Sequence, residues 1–128
     1  MQPRTDPKMV SQHYRMLELT SRIESASPHG LVGLLYEELL RALDLAIAAA
    51  ALNKASGHAS KALSIIVALE GSLDVQKGGD LAVSLARIYR ACSHGLNEAA
   101  RTGNTQKLQE IRDAISNIAY AWQALAGD

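Results

Sequence analysis

Phenylalanine is absent from this chain, cysteine and tryptophan occur once each, and proline occurs three times. A lone thiol, Cys92, has no mate for an internal disulfide, so a reducing compartment is expected. With no Phe, Leu and Ile with Trp122 and the tyrosines must supply most of the core volume. Charge of one sign is also lacking: 13 Lys and Arg balance 13 Asp and Glu, and neither sign forms a block. That balance argues against nucleic acid or an anionic membrane surface as partner. The longest apolar run, residues 45–52, is too short to span a bilayer, and the N-terminus has no secretory apolar stretch. No membrane insertion and a cytoplasmic location are therefore expected. At 128 residues the chain is long enough for one real core but not for two.

Helical signals fill most of what remains. Ser27 can offer its hydroxyl to the N–H groups of a first helical turn, and Pro28 suits the first helical position, where no N–H is needed. From there Leu31, Leu34, Leu35, Leu39, Ala42, Leu43, Ala46 and Ile47 recur at steps of three and four, so the spacing predicts a helix over 28–52 with one broad apolar side. Asn53 and Gly57 read as its stop signals. A second helix is expected over 56–73, facing inward with Ala59, Ala62, Leu63, Ile66, Leu69 and Leu73. The Lys77-Gly78-Gly79-Asp80 sequence reads as a plain break. A third helix over 80–101 is expected to bury Leu81, Leu85, Ile88, Tyr89, Cys92, Leu96 and Ala99, with Gly103 and Asn104 ending it. The last, over 105–124, carries Leu108, Ile111, Ile115, Ile118, Trp122 and Leu125 at alternating steps of three and four, a coiled-coil-like seam. Four such helices with short links predict an all-α, antiparallel four-helix bundle over 26–128. Ahead of it, 1–25 reads as a flexible segment. Residues 1–12, with Pro3 and Pro7, are expected to lack stable structure, and Met16, Leu19 and Ile23 suggest a short amphipathic helix.

Chemistry-bearing motifs are scarce. The residues three before His13, His29, His58 and His94 are Val10, Ala26, Ala55 and Ala91, so no Glu-x-x-His metal pair exists. No HExxH, CxxC, Walker or GxSxG pattern occurs. Glu37 and Glu38 are adjacent and diverge on a helix, which suits a solvated face better than an acid and base pair. Cys92 has no activating base that the sequence can name, and it sits in a core pattern. No catalytic residue, metal or cofactor is expected, and an enzyme is disfavoured. Gly33 and Gly95 each interrupt a strong helix at a cost of roughly 1 kcal/mol relative to Ala. Two readings stand open for them: tight packing of helix on helix, or a shallow groove for a guest helix.

Several segments, in order, resemble the flagellar secretion chaperones known as FliS. Ile23-Glu24-Ser25-Ala26-Ser27-Pro28 is similar to the family's approach to its first bundle helix, and Leu34-Leu35-Tyr36-Glu37 to the leucine-aromatic-acid sequence within it. Lys77-Gly78-Gly79-Asp80-Leu81-Ala82, with Leu85 and Tyr89, resembles the start of the family's third helix, and residues 116–122 resemble its last. Tyr14 precedes Pro28 by 14 residues, a separation similar to that of the family's N-terminal tyrosine. Ser84 and Ser11 depart from the pattern, where Asn and an apolar residue are often found.

The resemblance implies a cytosolic chaperone that binds the C-terminal segment of flagellin, prevents premature polymerisation and delivers it to the flagellar type III export apparatus. It implies an N-terminal segment that lies over the bundle and yields when flagellin binds. It also implies the export gate and an anti-sigma factor as secondary partners. The partner-binding residues expected on this basis are Tyr14, Met16, Leu19, Ile23, Leu31, Leu35, Tyr36, Leu85 and Tyr89. The alternative from another class is a self-associating structural or regulatory bundle with no flagellin role.

Overall fold

A computed structural model describes residues 7–125, and the described residues hold helices and no strand. Five helices follow one another: α1 (Pro7–Ser25), α2 (Pro28–Ala50), α3 (Ser56–Gly71), α4 (Val75–Thr102) and α5 (Thr105–Ala124). Backbone proximity divides the chain into two units, Met1–Leu31 and Val32–Asp128, the boundary lying inside α2.

In the first unit, α1 is longer than its apolar spacing suggests. The described chain is helical from Pro7 onward, so the expected absence of structure does not hold for residues 7–12; residues 1–6 lie outside the described residues. Ser27 caps α2 as its position predicts: the Gly30 N–H donates to Ser27 Oγ (3.1 Å) and the Leu31 N–H to the Ser27 carbonyl (2.8 Å).

The second unit is the bundle, and a few cross-helix pairs fix its topology. Asp44 on α2 pairs with Arg112 on α5 (3.1 Å), and the Tyr36 ring meets the Trp122 ring edge-on at 6.4 Å. Moving toward the C-terminus of α5 thus moves back along α2, so these helices are antiparallel. Tyr36 touches Tyr89, while the Ala50 carbonyl lies 3.3 Å from where a Cβ on Gly103 would stand; both numbers advance together, so α2 and α4 run parallel. Lys61 to Glu38 (3.5 Å) and Arg90 to Glu70 (2.8 Å) tie α3 to its two neighbours. The order is up, down, up, down.

Leu39, Leu43, Ile66, Leu69, Leu96, Leu108 and Ile115 fill the centre, and no charged residue is buried among the described residues. Alanines take the other inward positions, including Ala42, Ala46, Ala59, Ala62 and Ala99. Small side chains there let backbones approach, and α3 with α4, then α4 with α5, come closest. Burial of this face, at about 25 cal/mol per Å² of apolar surface, is what holds helices of such length together.

The links depart from expectation in two places. Asn53 adopts φ 56° and ends the turn after α2, but Gly57 belongs to the first turn of α3 and stops nothing. The expected break at 77–80 narrows to one residue, Gly79 (φ 54°, ψ −133°), a conformation that essentially only glycine tolerates. Before it, Val75–Gly78 forms a helical turn whose Lys77 N–H donates to Asp74 Oδ1 (3.1 Å). At the far end Gly103 (φ 68°) closes α4, and the Lys107 N–H donates to Asn104 Oδ1 (3.0 Å) to open α5.

Candidate functional site

Tyr36 and Tyr89 sit in the core, at 2% and 1% exposure, with their hydroxyls 2.5 Å apart. Both were expected to meet a partner, but neither offers a surface: each hydroxyl satisfies the other, and Trp122 closes the cluster edge-on to Tyr36. Burial pushes both hydroxyls above the ordinary tyrosine value, and their mutual hydrogen bond raises Tyr89 further while opposing the rise at Tyr36. They are neutral donors and acceptors, and they lock α2 to α4. Burial likewise pushes the Cys92 thiol up, with Lys107 opposing, so Cys92 is a packed thiol rather than a nucleophile.

The remaining expected partner residues divide between the two units. On α1, Tyr14 is 68% exposed, Met16 and Ile23 are also exposed, and Leu19 is half-buried. The Tyr14 ring stands edge-on to His13 at 6.5 Å, and Val10, His13, Tyr14 and Leu17 line a shallow open hollow along this helix. Leu31, expected on the buried side of α2, is exposed. In the bundle, Leu35 and Leu85 are half-buried and pack against the core.

An exposed apolar line that the spacing argument missed runs along α4 on the side of α5. Leu81, Ile88 and Gly95 follow one another at seven-residue steps, so they share one line along α4. Gly95 shows which way that line faces: a Cβ there would stand 2.8 Å from Lys107 Cε and 3.8 Å from Ile111 Cδ1 of α5. Continuing along α5 from Ile111 on the same face gives Ala114, Ile118 and Leu125. Near Gly95 the Lys107 side chain of α5 lies against α4, whereas Leu81 toward the start of α4 is 64% exposed, Leu125 69% and Ile88 37%. Sequence periodicity placed Leu81, Ile88 and Leu125 inside, because seven apolar positions on α4 are more than one buried stripe can hold. The core takes Tyr89, Cys92, Leu96 and Ala99, and the line through Leu81 and Ile88 is left at the rim. A seven-step line ending on a glycine was the signal available for it.

Along this line Ser84 and Ala91 on α4 and Asn117 and Ala121 on α5 carry no charge, and Lys107 stands at its Gly95 end. Such a surface suits an amphipathic helix laid along it, with anchors at three and four residue steps. No group of three or more His, Cys, Asp or Glu able to hold a metal occurs among the described residues, and none of their helices is long and apolar enough to cross a membrane.

Comparison with known proteins agrees with these observations. Residues 10–128 match the family model described as flagellar protein FliS. A flagellar secretion chaperone FliS of Salmonella typhimurium is 33% identical over 117 residues, covering 88% of this chain and 87% of that protein. The namesake from Vibrio cholerae is 26% identical, covering 89% and 86%, and the flagellar secretion chaperone FliSB of Pseudomonas aeruginosa is 27% identical, covering 90% and 94%.

Proposed function

The chain belongs to the FliS family of flagellar secretion chaperones, and from that premise we propose that it binds the C-terminal segment of flagellin in the cytosol, holds it from polymerising and hands it to the flagellar type III export apparatus. What supports this reading, beside the family, is the set of exposed apolar side chains formed by Leu81 and Ile88 on α4 and Leu125 at the end of α5. A flexible segment that folds into an amphipathic helix on such a surface gains affinity from a few buried anchors. It also gives up ordering entropy, which keeps the complex releasable without nucleotide. The exposed Tyr14, Met16 and Ile23 on α1, with Leu19, are kept in the proposal as further partner contacts, as are Leu31, Leu35 and Leu85. The export gate and an anti-sigma factor are proposed as secondary partners.

Calorimetry with a synthetic flagellin C-terminal peptide tests this. The expected result is one-to-one binding at micromolar concentration. Leu81→Asp should weaken it at least ~10-fold, since it removes a leucine anchor worth about 1.5 kcal/mol or more and places a charge in the contact. The same change sits on an exposed side chain and should move stability by no more than ~0.5 kcal/mol. No heat with the natural chain would overturn the chaperone reading, and unchanged affinity in Leu81→Asp would remove that surface from it. A stable oligomer indifferent to flagellin in light scattering would favour self-association instead.

A further inference from the structure

Lys107 stands where the fold gains little from its charge. It lies in the first turn of α5, an end of the helix at which the dipole disfavours a cation. Its ion pair with Glu110 is a 3.8 Å contact between side chains that are 46% and 59% exposed, a kind that adds little stability. Gly95, inside α4, carries a propensity penalty of its own. Yet the two are fitted to each other. A Cβ on Gly95 would stand 2.8 Å from Lys107 Cε and 3.8 Å from its Nζ, so the missing side chain is what lets the lysine stem lie against α4. The ammonium is also near enough to Cys92 to oppose the upward push of burial on that thiol.

The place of this cation gives it a use. Leu81, Ile88 and Gly95 follow one another at seven-residue steps, so the exposed apolar line of α4 ends at the lysine, about 21 Å from Leu81 at 1.5 Å per residue. Ser84 and Ala91 along it carry no charge. Glu98, the next position beyond Gly95 on that side, is already paired with Arg101 at 2.7 Å. A helix laid on this line therefore meets apolar side chains first and a positive charge at the Gly95 end.

We propose that Lys107, seated by Gly95, binds an acidic side chain of the flagellin segment where the line of Leu81 and Ile88 ends. This rests on the chaperone reading above. Charge names the occupant: apolar anchors alone accept many amphipathic helices, whereas an ammonium fixed at one end selects a carboxylate there and sets the direction in which the helix lies. Gly95 is a positioning residue that acts through Lys107.

Calorimetric titration of the full chain with the flagellin C-terminal peptide, and with the same peptide carrying Asn and Gln for its Asp and Glu, tests this. Lys107→Met keeps the stem without the charge and should bind the natural peptide about 5-fold more weakly; Lys107→Glu should lose at least ~10-fold. The amide peptide should bind the natural chain more weakly than the acidic one, and Lys107→Met should not tell the two apart. Raising NaCl from about 0.05 to 0.5 M should weaken the natural chain more than Lys107→Met. Gly95→Ala should lose about 3-fold, and adding it to Lys107→Met should cost nothing more, the non-additivity of two residues that act as one. All these variants should melt within about 3 °C of the natural chain. Natural affinity and natural salt dependence in Lys107→Met would overturn the inference and leave the chaperone reading intact, and fully additive losses would overturn the role of Gly95. If the natural chain itself ignores the acidic peptide, the chaperone reading fails and this inference falls with it.

Discussion

Removing the hydroxyl from Tyr36 or from Tyr89 should cost far more than removing both. The two rings are buried and the oxygens are 2.5 Å apart, 53 residues distant in sequence, so each hydroxyl has the other as its partner. Tyr36→Phe leaves the Tyr89 hydroxyl in apolar surroundings with nothing to bond, and a buried polar group so stranded costs about 1–3 kcal/mol. Tyr89→Phe strands Tyr36 at a similar cost. The double variant removes both oxygens, leaves two phenyl rings of unchanged shape, and should return to within about 1 kcal/mol of the natural chain. The double-mutant cycle should then give a coupling near 2–3 kcal/mol, at the upper end for residues in contact. Urea unfolding followed by far-UV circular dichroism reads this directly, and a constant denaturant slope would show that the change lies in stability. Trp122 is the sole tryptophan and stands beside Tyr36, so its fluorescence reports the same transition independently. A double variant as unstable as the sum of the singles would refute the argument, because it would mean the hydroxyls are not each other's partner.

The same pair predicts an alkaline limit. Both tyrosines have folded-state values raised above the ordinary 10.0, so their contribution to stability is complete below pH 10 and is lost as pH rises beyond it, when the unfolded chain ionises first. The slope should approach about 1.4 kcal/mol per pH unit per tyrosine, and urea midpoints from pH 8 to 11 should flatten in the Tyr36→Phe, Tyr89→Phe double variant. Gly103→Ala should lower stability by about 1–2 kcal/mol, since φ 68° disfavours any Cβ and the Ala50 carbonyl would lie 3.3 Å from it; a melting temperature matching the natural chain would show that the turn relaxes freely.

Helix identity was written into the sequence more clearly than helix facing. Ser27 and Pro28, Asn53, Gly103 and Asn104 mark boundaries through local chemistry, and local chemistry survives into the fold: each caps, turns or reverses the backbone where expected. The helicity of residues 7–12 was not legible because their composition is polar and carries little apolar spacing. Facing depends on partners that periodicity does not name. Leu31, Leu81, Ile88 and Leu125 continue apolar patterns but lie exposed. Conversely Tyr36 and Tyr89, attractive as amphipathic contact residues, are buried because a second hydroxyl is there to satisfy each one. That pairing spans α2 and α4, so it could be found only once the fold was in hand. A Cβ at Gly95 would meet the flexible end of Lys107 and one at Gly33 would meet nothing within 4 Å, so two glycines that composition poses identically sit in different surroundings.

The even number of antiparallel helices gives the bundle two unlike poles. One carries the turns after α2 and α4, where Asn53, Gly103 and buried alanines such as Ala50 and Ala100 bring backbones together in a rigid, tightly closed cap. The other gathers the tyrosine pair with Trp122 on α5 and the exposed Leu81 and Leu125. Insertions, tags or linkers fused at the turns of the closed pole therefore sit a full helix length from Leu81 and Leu125. The same additions after α5 compete with whatever binds there.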